Sequence, residues 1–135
     1  MKSRDGLIRL KRFQVREKRR QVAQIEAMIA EFERMAKDLN DQVVAEQERS
    51  GIRDTSHFAY PTFAKAAIQR RNNLSASAAD LAAKLAAARG EFDEACEELK
   101  KIELLEERDA ERLRLEQARS TPAELEEVGV HRVAS

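Results

Sequence analysis

His57 and His131 are the only histidines in this chain of 135 residues, and Cys96 is its only cysteine. Neither histidine has a second His, Cys or carboxylate at the helical or loop spacings of a metal site. Asp54 precedes His57 by three residues, a spacing that reads as turn chemistry. Cys96 has no adjacent His to activate it and reads as a small half-buried residue. There is no glycine-rich phosphate loop. The sequence therefore predicts no catalytic residue, no metal ligand and no cofactor-binding residue, and the chain reads as a non-enzyme.

Two other groups of residues carry chemistry. The first is the basic opening, Lys2, Arg4, Arg9, Lys11, Arg12, Arg16, Lys18, Arg19 and Arg20. Such a run suits a face laced with ion pairs, a docking face for an acidic protein surface, or a nucleic-acid-binding arm. The missing aromatic platform weighs against the last. Arg4, Arg9, Arg12 and Arg16 are the candidate partner residues of this charged end. The second group is Phe58, Tyr60 and Phe63, three of only six aromatics in the chain. They plug the end of the fold or form a patch for a partner.

The elements that hold these groups follow from composition and periodicity. Charged residues make up 37% of the chain and aromatics 4%, with four Gly, two Pro and 22 alanines, which excludes a sheet-rich fold and favours long helices. Every seventh residue from Ile8 is apolar: Ile8, Val15, Val22, Ile29, Ala36 and Val43. The companion track, Lys11, Lys18, Ile25, Phe32, Leu39 and Glu46, is apolar only in its middle. A second pair of tracks reads Ala67, Leu74, Leu81, Ala88, Ala95, Ile102 and Ala78, Leu85, Phe92, Leu99, failing at Glu106 and resuming at Leu113. Sustained heptads of this kind are coiled-coil seams. The expected architecture is all-α: a helix over about 4–49, a hinge over about 50–61 and a helix over about 62–119, folded as an antiparallel coiled-coil hairpin roughly 70 Å long. A break at Ser120-Thr121-Pro122 should separate this hairpin, 1–120, from a short helix and frayed tail, 121–135. Gly90, in the second helix, marks a flexible point or a close helix crossing.

Charge tests the hairpin separately. The chain is formally neutral, yet residues 1–20 net +7, 21–50 net −4, 51–90 net +4 and 91–135 net −7. A fold near residue 56 sets +7 beside −7 and −4 beside +4. A parallel arrangement would set the two basic blocks together. No apolar run reaches the ~18 residues of a membrane span and none has signal-peptide form, so the sequence reads as cytoplasmic, with no membrane insertion.

The opening Met1-Lys2-Ser3-Arg4, then Leu7-Ile8-Arg9-Leu10-Lys11-Arg12-Phe13 and Lys18-Arg19-Arg20-Gln21-Val22-Ala23, resembles the FliJ family of flagellar export proteins. The stretch His57-Phe58-Ala59-Tyr60-Pro61-Thr62-Phe63 is similar to the hinge of that family's alphaproteobacterial branch. The resemblance implies a non-enzymatic stalk or coupling protein of the bacterial type III flagellar export apparatus, cytoplasmic and peripherally associated with the inner membrane. Its paired terminal end would sit in the ring of the export ATPase, and its hairpin region would engage the membrane export gate. Export chaperones are further partners it implies, and nucleic acid is not one. The alternatives are a generic structural coiled coil that dimerises into a four-helix bundle, and a basic nucleic-acid-binding arm.

Overall fold

The computed structural model describes the backbone of residues 2–134 and the side chains of residues 4–120. Two long helices, α1 (Lys2–Ser50) and α2 (Thr62–Ala134), pack against each other, with no strand among the described residues. None of the described helices is long and apolar enough to cross a membrane.

Local chemistry ends α1 and starts α2. Gly51 takes φ +73°, and its N–H donates to the Gln47 carbonyl at 2.8 Å, closing α1 in the left-handed conformation that glycine adopts without strain. Asp54 then organises the connection. Its Oδ1 accepts from the Ser56 N–H at 3.0 Å and from the Ser56 hydroxyl at 2.7 Å, while its carbonyl accepts from the His57 N–H at 3.1 Å. The Pro61 carbonyl accepts the Lys65 N–H at 3.2 Å and opens α2.

The chain forms two compact units: Met1–Val15 with Glu94–Ser135, and Arg16–Asp93. In the first, the terminal unit, Ile8, Val15 and Ala95 are buried, and Lys11, Leu99 and Ile102 are half-buried. In the second, the hinge unit, Ala36, Val43, Tyr60, Ala64, Ala67, Ala78 and Ala88 are buried, with Val22, Ile25, Ile29, Phe32, Leu39, Leu74, Leu81, Leu85 and Phe92 half-buried around them. Among the described residues, those sheltered on each helix follow alternating steps of three and four, the heptad period. Among the described residues, six of the ten buried hydrophobic residues are alanines, because two helices enclose small side chains most readily and leave most larger ones partly wet.

Within each unit, cross-helix partners a turn or more apart run in opposite order along the two helices. In the terminal unit Arg4 meets Asp109, Lys11 meets Glu98 and Arg12 meets Glu103. In the hinge unit Lys18 meets Glu91, Glu26 meets Arg89 and Asn40 meets Arg71.

Three sequence expectations change. Tyr60 does not join an exposed aromatic tip but is 4% exposed, because its ring falls one helical turn before Ala64 on the seam. Gly90 marks no close helix crossing, since a Cβ built there would meet nothing within 4 Å. And α2 is still helical at Ser120, beyond the end expected near Arg119, with the Ser120 hydroxyl bonding back to the Gln117 carbonyl at 3.2 Å. The side chains of the expected short helix and tail, 121–135, lie outside the described residues.

Candidate functional site

The basic face of α1 splits into paired and unpaired arginines. Arg4 sits on the seam and reaches both Asp109 and, at 3.5 Å, Glu106, while also donating to the Leu105 carbonyl at 3.5 Å. The Arg4 contact holds the Asp109 carboxyl below the ordinary aspartate range, through its hydrogen bond first. Lys11 lies at a seam position, its stem lying along the two helices and its ammonium 2.9 Å from Glu98, whose carboxyl is lowered by that hydrogen bond. Arg12 pairs with Glu103 at 3.1 Å. Arg9 is exposed and makes no ion pair among the described residues. It lines a cleft of about 380 Å³ with Asp5, Ile8, Arg12 and Glu106. Arg16 is likewise exposed and unpaired, but it belongs to the hinge unit. The four candidate arginines therefore do not form one free set: two tie α1 to α2, and two face solvent.

Sequence reading missed the apolar half of the terminal unit. Leu7, Leu10 and Phe13 are 42%, 49% and 51% exposed, beside Arg9 on the same helix. Leu104, Leu105, Leu113 and Leu115 of α2 are also exposed. Among the described residues, seven of the eleven exposed large hydrophobic side chains thus lie in the terminal unit. The signal was present in the sequence: these residues are apolar yet fall off the heptad track that starts at Ile8, except Leu113, which stays on its track after α1 has ended.

The hinge aromatics separate into a plug and a surface. The Tyr60 hydroxyl accepts from Gln47 Nε2 at 2.9 Å, which satisfies the one polar atom its burial carries. Phe58 is 96% exposed and stacks on the His57 ring, centroids 4.8 Å apart and planes inclined by 21°. His57 is fixed in turn by Nδ1, which accepts the Ala59 N–H at 3.0 Å. Phe63, 57% exposed, lines a groove of about 400 Å³ floored by Met35, Leu39, Ala66 and Ala67. Arg34, Asp38, Gln42 and Arg70 form the groove's polar edge, where Arg34 bridges Glu31 at 2.5 Å and Asp38 at 3.1 Å.

No group of three or more metal-ligating side chains comes together among the described residues. Cys96 is half-buried beside the seam. What the arrangement can do is bind: exposed apolar side chains with Arg9 in one unit, and exposed aromatics with an apolar groove in the other. Comparison with protein-family models, with curated proteins and with solved structures finds no match to this chain.

Proposed function

We propose that the protein is a non-enzymatic stalk of the bacterial type III flagellar export apparatus, folded as an antiparallel coiled-coil hairpin in the cytoplasm and held peripherally at the inner membrane. Its terminal unit docks on the export ATPase ring, and its hinge unit engages the membrane export gate, with export chaperones as further partners. The observation that carries this reading is the concentration of exposed leucines and Phe13 beside Arg9 in the terminal unit. A coiled coil with no partner has no use for an apolar patch outside its seam, and interface cores favour aromatic and arginine anchors. The opening and hinge motifs supply the name of the partner; the exposed patch supports only that a partner exists.

The division of the hinge refines which residues reach the gate. Phe58 and Phe63 remain available to a partner, whereas Tyr60 serves the fold. The reading is tested by pull-down from a flagellated host with the chain as bait. Recovery of the export ATPase by the wild type, lost on Leu10→Asp with Phe13→Asp, supports it. Recovery of nucleic acid in place of the ATPase would replace it with the basic-arm reading.

A further inference from the structure

We infer that the groove between the two helices of the hinge unit is a docking site for an acidic amphipathic helix of a partner protein. The groove, of about 400 Å³, is lined on α1 between Arg34 and Gln42 and on α2 between Phe63 and Arg70. Each stretch covers about two helical turns, roughly 10 Å, so the groove runs along both helices. Its floor is apolar, and Phe63 is the largest apolar side chain on its walls, 57% exposed. Helix-in-groove recognition uses such a site, filled by anchors on one face of the incoming helix.

Charge at the groove's edge selects the occupant. Arg34 is held by Glu31 at 2.5 Å and by Asp38 at 3.1 Å, so this cation and its two carboxylates answer one another. Arg70 lines the same groove, is exposed, and has no ion pair or hydrogen bond among the described residues. A guanidinium with all its donors free beside an apolar floor favours a carboxylate, which it binds through two parallel hydrogen bonds. A basic helix would set like charge against Arg70, and a wholly apolar one would cover its donors without satisfying them. Phe63 and Arg70 stand one heptad apart on α2. The incoming helix therefore carries its carboxylate about one heptad from its apolar anchors. Only the role of the hinge unit as a docking end is taken over from the proposed function; the groove's chemistry is the same whichever protein supplies the helix.

The test uses the full chain and a labelled synthetic helix about three heptads long, with two Leu anchors at its centre and Glu one heptad to either side, so that no direction of docking is assumed. A control peptide has Lys in place of each Glu. Fluorescence anisotropy should show the Glu peptide binding about tenfold or more tightly than the Lys peptide. Arg70→Glu should invert that preference. Phe63→Asp should weaken the Glu peptide by a similar factor while helical content stays unchanged, because both substituted side chains are exposed. Recovery of the export ATPase in the pull-down does not involve this groove, so failure of the peptides and failure of the proposed function are told apart. Equal affinity for both peptides, no binding of either, or insensitivity to either variant overturns the inference. So does a mass that rises with concentration and that Phe63→Asp abolishes, since the groove would then be an interface between copies.

Discussion

The terminal and hinge units share one heptad rule and use it differently. In the hinge unit the seam is filled by Ala36, Val43, Ala64, Ala67, Ala78 and Ala88, and the plug residue Tyr60 is satisfied by Gln47. Among the described residues of the terminal unit only Ile8, Val15 and Ala95 are buried, and seam positions are occupied by Arg4, Lys11, Glu106 and Asp109. Apolar burial holds the first. The second depends on ion pairs that water and salt screen, and it leaves Leu7, Leu10, Leu104, Leu105, Leu113 and Leu115 outside. Polar seam positions cost stability but fix register and orientation, so the unit that is weaker in burial is the one whose pairing is specified by charge. The same unit holds most of the exposed apolar side chains, which is where a binding surface is expected.

The sharpest way to break this contrast is to attack the plug. Tyr60→Ala should destabilise the protein by about 3–5 kcal/mol, read as a lowered midpoint in urea unfolding, because it empties a buried aromatic site. Tyr60→Phe should cost only about 1 kcal/mol, the net worth of one hydrogen bond. Phe58→Ala, at a nearly free side chain, should stay within about 0.5 kcal/mol of wild type. Equal effects at Tyr60 and Phe58 would mean that the aromatics do not divide as described.

Glycine gives the next contrast. Gly51→Ala forces a Cβ into a left-handed conformation and should cost about 1 kcal/mol, whereas Gly90→Ala meets open space in a helix interior and should gain about as much. Opposite shifts in thermal midpoint are the expected result. A loss at both positions would show that Gly90 serves a packing need.

Acid and salt separate the units more gently. The folded Asp109 and Glu98 carboxyls are lowered from 3.8 and 4.5 by Arg4 and Lys11. A carboxyl depressed in the folded state contributes stability above its unfolded value, and that contribution disappears as pH falls through the folded one. Stability should therefore decline on acidification below about pH 4.5, and Asp109→Asn with Glu98→Gln should flatten that decline. Helical signal alone will not assign the effect, so a label at residue 8 or 104 should report the terminal unit loosening before the hinge unit does. Half-molar salt should reproduce part of the effect at neutral pH, since exposed ion pairs are screened by dissolved ions.

Much of this was legible in the sequence for a physical reason. A two-helix seam is a one-dimensional pattern, so the residues from Ile8 to Val43 and from Ala67 to Ile102 announce their own burial. The charge blocks pointed to the opposite order of partners that each unit displays, because pairing of Lys11 with Glu98 or Lys18 with Glu91 requires it. For Tyr60 the plug is the alternative that holds, because the heptad track of α2 reaches back from Ala67 through Ala64 to Tyr60. Leu7, Leu10 and Phe13 are harder to read, because apolar residues interleaved with Arg9 and Arg12 off the heptad track have no periodic signal of their own. Which arginines are free depends on side-chain reach across the seam, and no spacing rule encodes that.

The central claim is that two faces serve two partners, and the direct measurement is a crossed binding experiment with purified export ATPase and the cytoplasmic part of the export gate. Leu10→Asp with Phe13→Asp should weaken ATPase binding by about tenfold or more and leave gate binding unchanged. Phe58→Ala with Phe63→Ala, which spares the Tyr60 plug, should do the reverse. If either double variant weakens both partners equally, or if neither changes binding, the two-face account is contradicted.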